Sequence, residues 1–175
     1  MAGSAPAPFV YMDTCLFFSV IKKEKGLWQV PLQVLLAAAR GDVRLTASAL
    51  LLAELSSFKG DVARSEQDRI IEQYLVQGDI EWVELDLFTA QEARRLCVEY
   101  RLRGADAVHL ASAVRRGADY FMSNDKRFPY GQSIQNTKVR HPEVVWPNTL
   151  EDAQVELEAG LELDVSIEGG EPDLR

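Results

Sequence analysis

Four acidic residues, Asp13, Glu54, Asp106 and Asp125, stand where a carboxylate is costly unless something offsets it. Asp13 ends the apolar run Phe9-Val10-Tyr11-Met12, and Asp125 follows Tyr120-Phe121-Met122-Ser123. Glu54 is the only charge between Ala49 and Leu55, and Asp106 opens an apolar helical pattern. A buried carboxylate needs a cation, hydrogen-bond donors or a metal ion, or it takes up a proton. Each has a structural alternative. Asp13 could cap a helix, Asp106 could favour a helix first turn, Asp125 could shape a turn, and Glu54 could pair with an arginine. Glu54 makes the strongest single case, because its helix is apolar nearly all round. If the four share one crevice, their repulsion calls for a cation, and oxygen-only ligation selects Mg²⁺ or Mn²⁺. Zinc is disfavoured: His109, His141, Cys15 and Cys97 lack ligand spacing. His109, beside polar Ser112, reads as a surface or hydrogen-bonded residue. A hard divalent ion suits phosphodiester hydrolysis, since it acidifies water and neutralises charge on phosphate; one ion and two both remain open.

The elements that must bring these residues together alternate between strand and helix. Strands are expected at Phe9–Met12, Val43–Thr46, Ile80–Leu85, Tyr120–Ser123 and Val144–Trp146. Helices are expected at Thr14–Lys23, Leu27–Arg40, Ala49–Phe58 with Ser48 as its cap, from beyond Asp61 to about Gln77, at Thr89–Arg103 with Thr89 as its cap, and at Asp106–Arg116. Such alternation predicts an α/β fold, a mainly parallel sheet with helices on both faces. Ligands bind beyond the carboxyl ends of such strands, where Asp13 and Asp125 fall.

The 175 residues, 47% hydrophobic and 26% charged, suffice for one globular domain. No apolar run reaches the ~20 residues of a membrane span. Two cysteines are too few for a disulfide framework, so a reduced, cytoplasmic setting is the default. Met1–Pro8 reads as a loose leader, residues 9–148 as the domain and residues 149–175 as an acidic extension. The net charge of −8 lies in residues 151–175, with nine acids and one base, leaving 18 acids and 18 bases elsewhere. From Val155 to Ile167 apolar and polar residues alternate, so this segment is either a mobile tail or an edge strand, with Gly160 at a bend. Cys97 and Arg103 have a phosphatase-loop spacing, but Val98–Leu102 lacks glycine and reads as helix. No P-loop motif is present. Arg101, Arg103, Lys126 and Arg127 flank the acids and are the candidate phosphate contacts, against solvated charge as the alternative.

Val10-Tyr11-Met12-Asp13-Thr14, Thr46-Ala47-Ser48 leading to Glu54, Asp106-Ala107-Val108-His109-Leu110-Ala111-Ser112-Ala113 and Ser123-Asn124-Asp125-Lys126-Arg127-Phe128 follow one another in a familiar order. From about Phe9 to Trp146 the chain resembles the PIN domain, most closely the VapC-like toxin ribonucleases. The resemblance implies a PIN-like fold in which Asp13, Glu54, Asp106 and Asp125 hold Mg²⁺ or Mn²⁺ and activate water to cut RNA. It implies supporting roles for Thr14 and Ser123, a cognate antitoxin lying across the groove, and a homodimer. The acidic extension departs from the family pattern and puts that partner arrangement in doubt. A catalytically silent PIN-like scaffold that binds protein or RNA is the competing class.

Overall fold

The computed structural model describes residues 6–56, 63–76 and 78–147. The acidic extension, the start of the leader and the stretch around Gly60 lie outside the described residues. The chain divides after Val145, and the fold below is that of the first unit.

Phe9–Met12 forms β1, with every residue buried. Successive strand residues point to opposite faces, so a strand buried throughout is covered on both. β2 (Arg44–Ser48), β3 (Ile80–Val83) and β4 (Tyr120–Met122) join it, with a hairpin of β5 (Ser133–Ile134) and β6 (Thr137–Arg140). The order is β3-β2-β1-β4-β6-β5. All pairings are parallel except β5 with β6. Tyr11 is flanked in register by Thr46 and Phe121.

The flanking helices are α1 (Thr14–Lys22), α2 (Gln29–Arg40), α3 (Leu50–Ser56), α4 (Arg64–Ile71), α5 (Leu87–Tyr100) and α6 (Gly104–Arg116). Glu72–Val76 extends α4 as a π-helical turn. Pro31 falls in the first turn of α2, where its missing N–H is harmless. Gly117 ends α6 at φ 75°, its amide reaching the carbonyls of Ala113 and Val114. Tyr11, Phe121 and Phe128 pack with Leu96, Leu110 and Val139 in one core. The Tyr11 and Phe121 rings stack at 5.5 Å, and Phe121 meets Phe128 at 4.6 Å.

Several expectations shift; β3 stops at Val83, and α5 stops at Tyr100, so Arg101–Arg103 lie outside it. The last strand is Thr137–Arg140, whereas Val144–Trp146 is irregular. β6 shows buried-exposed alternation, but over only four residues after a two-residue partner. α5 starts at Leu87 rather than after Thr89, because the Asp86 carboxylate accepts the Thr89 N–H at 2.7 Å and is the cap. Ser48 belongs to β2, and α3 begins at Leu50, whose N–H reaches Ser48 Oγ at 3.3 Å. α6 begins at Gly104, so Asp106 lies inside its first turn.

Candidate active site

The carboxyl ends of β1 and β4 lie side by side, and the Asp13 N–H donates to the Met122 carbonyl at 3.0 Å. Asp13 caps α1, accepting the Thr14 N–H on Oδ1 at 2.9 Å. Capping does not exclude it from the cleft, because Oδ2 faces β4. That oxygen accepts from Ser123 Oγ at 2.7 Å and from Cys15 Sγ at 3.1 Å. Burial, followed by the Asp13 charge, pushes the Cys15 thiol up to about 12. It therefore stays a thiol and a donor.

Ser123 organises two carboxylates at once. While donating to Asp13, its Oγ accepts the Asp125 N–H at 3.0 Å. Tyr130 Oη fastens the same loop, lying 2.8 Å from the carbonyls of both Ser123 and Asp125. Asp125 also makes the turn expected of its type, accepting the Arg127 N–H at 3.0 Å. The Arg127 guanidinium grips that carboxylate with Nε at 2.9 Å and with Nη2. Hydrogen bonds from Arg127 hold the Asp125 carboxyl below its ordinary range.

Asp106 enters from the first turn of α6. Its buried Oδ2 has no hydrogen-bond partner and lies 3.2 Å from Arg127 Nη1, an ion pair without hydrogen-bond alignment. Burial pushes its carboxyl up, with Asp125 and Asp13 adding to the shift and Arg127 and Arg103 opposing it. Asp13, Asp106 and Asp125 thus share one field, and Arg127 is the cation held between the last two.

Glu54 lies on the other side of Thr14. Its Oε2 accepts from Thr14 Oγ1 at 2.5 Å and meets His109 Nε2 at 2.8 Å. The hydrogen bond with His109 is the main cause holding its carboxyl below the ordinary range; burial opposes it and Thr14 assists. His109 is buried rather than on the surface. Its Nδ1 meets Tyr11 Oη at 2.7 Å, and that oxygen accepts the Ser48 N–H at 2.9 Å.

Two of the four basic candidates face the acids: Arg127 by direct pairing and Arg103 by charge. All four are exposed. Tyr11, Cys15, Tyr130 and His109 make contacts here that their sequence surroundings do not announce. One signal was available: His109 follows Asp106 by three residues and shares its helix face.

Whether these residues fit a divalent ion can be tested on Asp106. A buried carboxylate oxygen without a donor, in an all-oxygen set with two further carboxylates, fits a hard cation. Among the described residues no three acids, histidines or cysteines are gathered at ligating distance. Ligation by both Asp106 and Asp125 would require Arg127 to move.

The sequence pattern of the PIN domain matches residues 10–130. No curated protein sequence matches the chain. Among solved structures, a chain of VapBC2 from Rickettsia felis, crystallised with a promoter DNA fragment, has a TM-score of 0.57 and 15% identity, covering 77% of this chain and 99% of its own. A chain of a toxin-antitoxin complex from Klebsiella pneumoniae has a TM-score of 0.56 and 17% identity, covering 78% and 99%. At such identities the likeness is one of fold.

Proposed function

Since the chain belongs to the PIN domain family, we propose that it is a Mg²⁺- or Mn²⁺-dependent endoribonuclease, the toxin of a toxin–antitoxin pair. What supports this reading is that Asp106 and Asp125 share the Arg127 guanidinium while the Asp13 charge adds to the upward shift of Asp106. Asp13, Glu54, Asp106 and Asp125 would hold the ion, Glu54 from the far side of Thr14. When bound, the ion supplies charge neutralisation at the scissile phosphate and a more acidic water. Ser123 and Thr14 orient the carboxylates: Ser123 donates to Asp13, and Thr14 to Glu54. Arg103, Arg127, Lys126 and Arg101 are the cations a phosphate backbone would meet. Arg127 can do so only on leaving Asp106 and Asp125. The antitoxin partner draws support from the two solved neighbours, one of them a toxin-antitoxin complex by name. A homodimer and a cytoplasmic location belong to the same reading. Among the described residues no helix is long and apolar enough to cross a membrane, and Cys15 and Cys97 are unpaired.

Asp13→Asn and Asp106→Asn test the reading. Each should abolish Mn²⁺-dependent cleavage of RNA while circular dichroism shows an intact fold. Cleavage retained in the purified double variant would sink it. The scaffold alternative predicts no cleavage and, by calorimetry, no requirement for Mn²⁺ binding.

A further inference from the structure

The buried chain behind Glu54 has a direction that can be read from donors and acceptors alone. At one end the Ser48 backbone N–H can only donate, and it does so to Tyr11 Oη at 2.9 Å. At the other end the Glu54 carboxylate can only accept, and it lies 2.8 Å from His109 Nε2. Thr14 Oγ1 also lies 3.2 Å from His109 Nε2, but its proton goes to Glu54, so His109 Nε2 must carry one of its own. A neutral imidazole has one N–H, which leaves Nδ1 as an acceptor, 2.7 Å from the Tyr11 hydroxyl. Tyr11 supplies its own proton there, because its oxygen already accepts from Ser48. A doubly protonated ring would instead make Tyr11 accept two N–H groups and turn its proton away from both. Tyr11 and His109 are 0% and 2% exposed, so water does not repair a misplaced proton.

We infer that His109 is a positioning residue, fixed as the Nε2–H tautomer between the Glu54 carboxylate on one side and Tyr11, itself oriented by the Ser48 amide, on the other, so that its one proton points at Glu54. The chain runs from β2 through β1 and α6 to α3, so the sheet that builds the core also aims an acid of the site. Thr14 adds a second donor to the same Glu54 oxygen from the start of α1. Partners that orient a metal-binding side chain in this way set its affinity without touching the ion. For its consequence on metal binding the inference rests on the nuclease reading; the tautomer does not.

The test uses the full 175-residue chain, labelled with ¹⁵N. Long-range proton–nitrogen correlation should show His109 with a protonated Nε2 and a bare Nδ1. In Tyr11→Phe the Glu54 carboxylate still takes the Nε2 proton, so the ring should keep its Nε2–H tautomer while the Nδ1 nitrogen resonance shifts on losing its hydrogen-bond donor. Calorimetry with Mn²⁺ alone should then show His109→Leu binding about tenfold more weakly or worse. His109→Gln, whose carboxamide can offer its oxygen to Tyr11 and its N–H to Glu54, should restore most of that loss. An Nδ1–H tautomer or an imidazolium in the unaltered protein would overturn the inference, as would a folded His109→Leu that binds Mn²⁺ as tightly as its parent. RNA cleavage is scored separately. A protein that binds Mn²⁺ yet cuts no RNA refutes the nuclease reading, while the tautomer and affinity results still decide the role of His109.

Discussion

The two sides of Thr14 are built on opposite principles. On one side Ser48, Tyr11, His109 and Glu54 form a buried chain of hydrogen bonds that ends on a single carboxylate. On the other, Asp13, Asp106 and Asp125 crowd like charges together, and Arg127 answers the last two. The first side is satisfied and fixes position. The second is frustrated: burial and its neighbours push the Asp106 carboxyl up, while Arg127 draws that of Asp125 down. Frustration at the carboxyl ends of two central strands, backed by a satisfied core, is what an ion-binding cleft needs before its ion arrives. Removing a crowded carboxylate and cutting the buried chain should therefore have opposite effects on stability.

The largest effect belongs to Asp106→Asn. Cleavage should fall about 100-fold or more, yet the fold should gain stability at neutral pH. The sign follows from the raised carboxyl: the folded chain holds the Asp106 proton more tightly than the unfolded chain. Stability of the unaltered protein then declines as pH rises from the ordinary aspartate range through the folded-state value, and the full penalty is present above it. Asparagine carries no such penalty. Its advantage in thermal midpoint should be plain at pH 7 and vanish as pH falls below the ordinary range. A variant no more stable than its parent at pH 7 would break the contrast.

Tyr11→Phe should move stability the other way. It strands the buried Ser48 N–H and removes the donor to His109, a loss of about 1–3 kcal/mol. The midpoint of urea unfolding should drop without a change in slope. A neutral result would mean that the buried chain is not holding the fold.

Much of the frustrated side was legible in the sequence, because charge at the end of an apolar strand is conspicuous. Asp13 and Asp125 were placed by strands that the structure keeps, β1 and β4. Asp106 was legible from its apolar helix. Of the satisfied side only Glu54 was legible, from the apolar helix around it. Tyr11 sits in an apolar run and reads as core, which it is; nothing in the run reveals that its hydroxyl faces His109, 98 residues on. Hydrogen bonds between elements depend on strand order, and that order follows from packing rather than from local pattern. The hairpin β5–β6 was missed for a related reason: two- and four-residue strands are too short for periodicity to register.

Arg127→Gln sharpens the comparison from the charged side. Its hydrogen bonds hold the Asp125 carboxyl low, so this pairing stabilises the fold above the ordinary aspartate range and is lost as pH falls through the folded-state value. The groups are partly exposed, so the cost at pH 7 should be small, about 0–1 kcal/mol. Mn²⁺ binding should tighten, because the resident cation no longer competes for Asp106 and Asp125. Weaker Mn²⁺ binding in calorimetry would show that Arg127 orders the carboxylates instead of occupying their place.

The smallest effect, and the finest discrimination, comes from Lys126. It is next to Arg127 in sequence, equally basic and equally exposed, but Arg127 is bound to two acids. Lys126→Ala should leave stability within about 0.5 kcal/mol. If Lys126 meets a phosphate, the slope of log affinity against log salt for a non-hydrolysable RNA should shrink by about 0.7, with or without Mn²⁺. Arg127→Gln should shrink that slope only when Mn²⁺ is present, since only then is the guanidinium released towards the backbone. Identical slopes for the two variants in the absence of Mn²⁺ would mean that Arg127 is already free to meet RNA, and that the acids beside it are not waiting for a cation.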